Sequence, residues 1–318
     1  MERPGGPDVQ LPALAAWAWI PIVIWAAFAQ TIRNATQRTL VAELGTLSAT
    51  LVRFLYGLPF AFAWLLVVYR FLGPTGAALS WPPFTAAYAG WVFVGAAAQL
   101  AATAFLLQAM RQRNFIVGVT FSKTEVLQVG IFATIFLHEL PTVWSALAMV
   151  IATVGVLLLS VPQKVPGGAR VWAGNAAWFG LGSGACFALS SVGYRGASLQ
   201  WSGTSPWLIG AWAVVLAQSL QSVVLGSWLG LRAPGALASI AKAWRLSLLA
   251  GMMGALASIG WLTATAMRPA GDVRTLGLVE VLFSYVVSRR LFNERMSASE
   301  LTGLLLVSAG VLVVCAQL

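Results

Sequence analysis

Charge is scarce in this chain. Only 9% of its 318 residues are charged, 9 of them acidic, with one histidine and two cysteines besides. A soluble domain carries about 25% charged residues, so the composition excludes an ordinary soluble protein. Two cysteines exclude a disulfide framework, and a single histidine leaves a Cys/His metal site poorly supplied. Cys186 and Cys315 both lie in apolar stretches and read as small core residues. There is no Gly-x-x-x-x-Gly-Lys-Ser/Thr loop, no His-Glu-x-x-His and no Gly-x-Ser-x-Gly. ATP-driven transport by this chain alone and the familiar hydrolase chemistries are therefore unsupported. The reading is of a non-enzyme with no cofactor, no metal and no catalytic residue. Residues 1–12 form a polar, Pro/Gly-rich tail without a small-residue cleavage motif, which reads as a tail rather than a cleavable signal.

What is abundant is apolar: 59% of the residues are hydrophobic and the mean hydropathy is +0.83. The formal charge of +10 does not indicate nucleic acid, because the basic residues are strung singly between apolar runs. That is how a multi-span protein marks its loops and interfaces. A helix needs about 20 mostly apolar residues to cross the hydrocarbon core. On that rule the sequence predicts spans over 13–33, 44–69, 86–110, 115–137, 142–161, 174–194, 206–231, 246–267, 273–292 and 298–316. Fifteen tryptophans are also present. Trp17, Trp19, Trp81, Trp172 and Trp201 fall at span ends, as an aromatic belt requires; Trp25 and Trp261 lie deeper.

The two halves of the chain repeat. A shift of 155 residues lays Glu125-Val126-Leu127 on Glu280-Val281-Leu282, Glu139 on Glu294, and Gly155-Val156-Leu157 on Gly310-Val311-Leu312. The first and sixth spans match as well, from Ala27-Phe28-Ala29 and Cys186-Phe187-Ala188 onward. Five spans per copy force opposite orientations, and inverted repeats are a signature of secondary transporters with the site near the midplane. The expected fold is all-α and membrane-embedded: ten transmembrane helices as two inverted five-helix repeats around a central cavity. Residues 13–161 form the first repeat, 162–173 a linker and 174–316 the second repeat. More basic residues flank the odd-numbered loops (Arg33, Arg38, Arg111, Arg113, Arg232 and Lys242 among them) than the opposite face (Arg3, Arg70, Arg195, Arg268 and Arg274). That bias predicts cytoplasmic odd loops, with both termini outside.

These features resemble the drug/metabolite transporter superfamily, EamA type, over nearly the whole chain. Leu51-Val52-Arg53-Phe54 is similar to the family's Arg-Phe signature in the second span. Phe136-Leu137-His138-Glu139-Leu140 and Leu291-Phe292-Asn293-Glu294-Arg295 are similar to the segments that close its fourth and ninth spans, each followed by a span with a late glycine. The resemblance implies a ten-helix bundle with a central cavity and a carrier of small metabolites, often an exporter. It also implies cytoplasmic termini, opposite to the charge bias, and the orientation stays open. Thr120-Phe121-Ser122-Lys123-Thr124-Glu125 departs from the family pattern by adding two ionisable groups.

Carboxylates inside a membrane span are costly and mark function by default. Glu125 shares a helix face with Ser122 and Gln128, and Glu280 with Ser284. Each can exchange a proton or hold a cationic substrate, and the two uses compete, which gives antiport. As counterparts in inverted halves they are expected to approach each other. Glu280 is the more isolated, since Leu278 stands where Lys123 accompanies Glu125. Lys123 reads as a cavity cation or one that snorkels to the interface. Arg53 reads as one half of a structural ion pair, with Glu43 a candidate partner, or as a site for a carboxylate. Arg33, with Gln30 on its face, binds an anion or marks the interface, and Arg195 is its counterpart in the sixth span. Glu139, Glu294 and His138 read as structural span ends. Gln99, Tyr194 and Trp261 complete the candidates for lining the cavity.

The sequence thus reads as a multi-pass inner-membrane secondary transporter, proton-coupled, moving small metabolites, amino acids or drug-like compounds. Its partners are the substrate, protons and the bilayer, with monomer and homodimer both open. A lipid-modifying membrane enzyme and a non-transporting receptor or assembly subunit are the other classes; the repeat ranks transport first.

Overall fold

The computed structural model describes residues 17–72, 81–111, 121–160, 174–201, 203–283 and 298–317. Helices follow one another through short connections, and no strand occurs among the described residues. In chain order they are α1 (Trp19–Leu44), α2 (Thr46–Leu55), α3 (Leu58–Val67, continued by a π-helical turn Val68–Leu72), α4 (Ala86–Arg111), α5 (Glu125–Leu137), α6 (Val143–Ser160), α7 (Asn175–Leu199), α8 (Pro206–Arg232), α9 (Pro234–Lys242), α10 (Trp244–Met267), α11 (Ala270–Gly277) and α12 (Ala298–Cys315). Five segments are long and apolar enough to cross a membrane: Thr46–Phe71, Ala86–Leu106, Asn175–Leu199, Pro206–Arg232 and Trp244–Met267. Glu125–Leu137, Val143–Leu159 and Ser299–Cys315 are shorter apolar helices. In α1 the apolar first half runs on into the polar stretch from Gln30 to Gln37 instead of ending near Arg33.

The boundaries follow from local chemistry. Gly45 adopts φ 75° between α1 and α2, a conformation that costs glycine nothing, and so turns the chain within one residue. Pro59, Pro206 and Pro234 stand in the first turns of α3, α8 and α9, where a missing N–H breaks no helical bond. α5 stops at His138, left-handed at φ 55°, with the Glu139 N–H closing on the Ala133 carbonyl at 3.2 Å.

The molecule is apolar outside and polar within. Leu66, Phe71, Trp178 and Leu231 stand 69%, 73%, 72% and 84% exposed, whereas Arg33, Gln218 and Gln221 are buried. Water would not tolerate that arrangement, since soluble monomers rarely expose apolar patches beyond a few hundred Å². Lipid favours it, and the protein is a membrane protein.

Lipid offers no hydrophobic force between helices, so packing rests on close van der Waals contact through small residues. The interior is accordingly rich in alanine and glycine. α1 packs on α10, α4 on α7, and α6 on α12; α2 and α3 pack on α8, and α5 on α7. The α6–α12 seam is the tightest kind: a Cβ on Gly155 would lie 2.7 Å from the Gly303 carbonyl, and one on Gly303 would lie 2.7 Å from that of Gly155.

Candidate functional site

Two helices break just before Glu125 and Glu280. Residues Lys123–Thr124 form a turn, with Thr124 N–H bonding the Phe121 carbonyl at 3.1 Å, and α5 starts at Glu125. α11 ends at Gly277, Leu278 turns with its N–H on the Thr275 carbonyl at 3.1 Å, and the helix resumes before Glu280. A tightened turn within a membrane-depth helix exposes backbone dipoles and marks a hinge or a site. Glu125 stands at the positive end of α5, where a carboxylate is favoured.

Glu280 is held by α1. Its Oε2 accepts the Gln30 Nε2–H at 2.5 Å and its Oε1 the Asn34 Nδ2–H at 2.9 Å. Gln30 and Asn34 are one helical turn apart and so present both amides on one face. Their orientations are fixed by what their oxygens accept. Trp261 Nε1 donates to Gln30 Oε1 at 3.1 Å, while Arg33 Nε and Nη2 donate to Asn34 Oδ1 at 3.2 and 2.7 Å.

Glu125 is held by Arg274, whose Nη1 lies 3.5 Å from Oε1. Arg274 Nε also donates to Ser191 Oγ at 2.8 Å, and its Cζ stands 5.2 Å from the Trp261 ring centroid. Trp261 thus touches both systems, giving its ring face to Arg274 and its N–H to Gln30. The two carboxylates do not share a partner. Glu280 is not the more isolated: it accepts two hydrogen bonds, because α1 offers two amides where sequence reading saw one.

A third group lies over Gly254. A Cβ there would be 3.2 Å from Arg53 Cγ and 3.5 Å from Arg33 Cδ, so the two arginine stems cross the same glycine. Arg53 has no ion pair with Glu43 or any other described acid; its Nε has no hydrogen-bond partner. Beside it, Tyr194 OH donates to Gln99 Oε1 at 3.3 Å, and Gln221 Nε2 donates to the same oxygen at 2.7 Å and to the Ala96 carbonyl at 3.2 Å. Gln218 is buried with neither amide atom bonded.

At the end of the bundle where α5, α7 and α10 finish, a polar seal closes the interior. Arg195 forms a forked pair with Glu139, its Nη2 at 2.6 Å and Nε at 2.9 and 3.2 Å, and its Nη1 caps the Thr265 carbonyl at 2.9 Å. Ser145 Oγ donates to Asp272 Oδ1 at 2.7 Å. Asp272 lies ahead of the ninth predicted span, and burial pushes its carboxyl up from the usual range against the opposing pull of that hydrogen bond.

Of the residues singled out from sequence, Glu280, Gln30, Arg33, Trp261, Arg53 and Tyr194 with Gln99 come together through α1, α2, α4, α7 and α10, and Glu125 joins them through Arg274. Lys123 has no ion pair among the described residues. Ser284 and Glu294 lie outside the described residues. Trp25 faces outward at 47% exposed, on a groove of about 290 Å³ lined by Pro21, Ile22, Trp64 and Trp207 among others. That groove holds no acid or base to orient a solute and lies away from the carboxylates. Sequence reasoning missed Arg274 and Asn34. Arg274 had been counted as a loop charge, although its place one residue inside the ninth predicted span was the signal that an intramembrane cation needs a partner.

No family model and no curated protein matches the sequence. Among solved structures, one crystal structure of a protein aligns with a TM-score of 0.66 over 94% of this chain and 97% of its own, at 12% identity. At that identity the likeness is one of fold.

Proposed function

We propose that the chain is a secondary transporter of the EamA type, with ten spans in two inverted repeats, which moves small metabolites or drug-like solutes by alternating access and exchanges protons at Glu125 and Glu280. The observation that carries this reading is the charged cluster itself, built from both halves of the chain inside an apolar-surfaced bundle. A charge at the centre of a bilayer costs about 2.5–3.5 kcal/mol, whereas an interhelical hydrogen bond returns about 0.6 kcal/mol on average. Five ionisable side chains, Glu125, Glu280, Arg33, Arg53 and Arg274, therefore cost more in their charged forms than their hydrogen bonds return, and stability does not account for them.

Two further observations support it. In span order the first packs on the eighth and the sixth on the third, while the second packs on the seventh and the fifth on the tenth. Moving every span five places leaves these four pairs unchanged, as a repeat requires, while the packing of the seventh span on the eighth has no comparable counterpart between the second and third among the described residues. The helix breaks before Glu125 and Glu280 also fall at equivalent places, and broken helices that aim their ends at a midplane site are a transporter device. The Glu139–Arg195 pair then acts as the closed gate of one end, with access from the other. In the cycle a proton on Glu280 takes one of the two carboxylate acceptors from the Gln30 and Asn34 amides of α1 and so loosens α1, and substrate replaces the proton. We place the protein in the cell inner membrane. Flux into proteoliposomes with and without a pH gradient, for solutes found by thermal-shift screening, tests the reading; binding without flux contradicts it.

A further inference from the structure

Arg53 stands among cations. The charged groups that act on it are Arg33 and Arg274, both cations, with the Tyr194 phenol beside them and no carboxylate; the carboxylate that acts on Arg33 is Glu280. Arg53 is 9% exposed and Arg33 6% exposed, and neither has an acid within ion-pair distance among the described residues. Arg33 spends Nε and Nη2 on the Asn34 amide, which is neutral. The cation–π contact of Arg53 is with its own neighbour Phe54, 5.1 Å from Cζ to centroid, and offsets little of the charge. Two like charges held together out of water repel, and each has lost its hydration. Gly254 leaves room for both: a Cβ there would stand 3.2 Å from Arg53 Cγ and 3.5 Å from Arg33 Cδ. The surroundings are built for an acceptor. Arg53 Nε is buried without a hydrogen-bond partner, and the Tyr194 hydroxyl lies in the same electrostatic neighbourhood.

We propose that Arg33 and Arg53, whose stems both flank Gly254, with Tyr194 beside Arg53, form an oxyanion subsite that binds a carboxylate or phosphate group of the transported solute. The assignment rests on reading this cluster as a carrier's central site, and it gives the substrate class: small solutes bearing a compact oxyanion. A planar guanidinium pair suits such a group, since each fork offers two parallel N–H donors. The carboxylates on the other side of Arg33 then serve the proton or a cationic end of the same solute. The paired positive charge of Arg33 and Arg53 also draws an anion inward.

The test is thermal unfolding of the purified full chain, followed by tryptophan fluorescence, against inorganic phosphate and against acetate, with sodium chloride at matched ionic strength as control. Phosphate or acetate is expected to raise the midpoint above the chloride control. Arg53→Met and Arg33→Gln are expected to weaken that response by about tenfold or more, the scale of losing a charge-assisted hydrogen bond, while Arg232→Gln at the surface leaves it intact. Arg53→Met keeps the apolar stem, and its unfolding midpoint without anion is expected to equal or exceed the wild type, since a repelling charge is gone. If Arg53→Met does not fold, Arg53→Gln carries the same reading, because it removes the charge and keeps a polar head in place of the guanidinium. A third arm replaces detergent with nanodiscs of phosphatidylcholine alone or with phosphatidylglycerol. A response to the anionic lipid and to neither free anion overturns the proposal, because the bound oxyanion then belongs to a headgroup. So does an absent response in the wild type, or an undiminished one in Arg33→Gln and in Arg53→Met or Arg53→Gln. An absent response alongside proton-coupled flux removes the subsite and leaves the carrier. A specific response without any flux leaves the subsite and removes the carrier.

Discussion

Arg274 lies across the ring of Trp261, its guanidinium carbon 5.2 Å from the ring centroid, while the indole N–H of the same tryptophan bonds Gln30 at 3.1 Å. One side chain therefore joins the Glu125–Arg274 pair to the Gln30–Glu280 pair. Replacing it separates the two contacts. Trp261→Phe keeps the ring face and loses the N–H, at a cost of about 1 kcal/mol for one hydrogen bond. Trp261→Leu loses both and leaves space, and is expected to cost about 3 kcal/mol or more. Thermal unfolding of the two variants checks the order; equal losses would mean that the ring face contributes nothing.

The Glu139–Arg195 fork ties α7 to the segment that follows α5, at the end that the proposed function reads as a closed gate. Both side chains are largely shielded, at 20% and 11% exposed, so removing one partner is expected to cost about 3 kcal/mol, within the range for a broken buried pair. Glu139→Gln should raise hydrogen exchange in residues 138–142 and at the C-terminal turns of α7 and α10, where Arg195 caps the Thr265 carbonyl. Exchanging the two residues, Glu139→Arg with Arg195→Glu, should recover part of the protection. Unchanged exchange in Glu139→Gln would remove the gate from the account.

Glycines at the α6–α12 seam and on the open face of α4 predict opposite outcomes. Gly155→Ala puts a Cβ 2.7 Å from the Gly303 carbonyl and the Val307 nitrogen, both backbone atoms that cannot step aside. A loss of about 1–3 kcal/mol is expected, as for other overpacked cores. A Cβ on Gly90 meets nothing within 4 Å. Gly90→Ala should therefore stabilise by up to about 1 kcal/mol through helix propensity. Unfolding midpoints that move in the same direction would contradict the packing described.

Much of the arrangement was legible in the sequence because lipid imposes simple rules. Long apolar runs gave helices, and the rarity of acids pointed to Glu125 and Glu280 at once. Partners were harder to read, because helical periodicity says which residues share a face but not which helix that face meets. Gln30 was visible as a polar residue in the first span, yet nothing in its spacing paired it with a glutamate 250 residues away. Asn34 lies just past the point where the apolar run ends, so it read as the edge of the span; the helix continues to Leu44. Arg274 read as a loop charge because a count of charges by face ignores a side chain's reach. Arg53 read as half of an ion pair by habit of expectation, since a lone arginine in a membrane has no local sequence signature that distinguishes it from a paired one.

The central claim is that the two carboxylates carry the coupled proton. Its most direct test is solute-driven proton movement in proteoliposomes, followed by trapped pyranine, for wild type, Glu125→Gln and Glu280→Gln. The account predicts that solutes found by thermal shift acidify or alkalinise the lumen with the wild type, that transport depends on the pH gradient, and that Glu280→Gln, which keeps an acceptor for the α1 amides but cannot hold the proton as a carboxylate does, abolishes both, with Glu125→Gln reducing them. Wild-type pH dependence in both variants would contradict it.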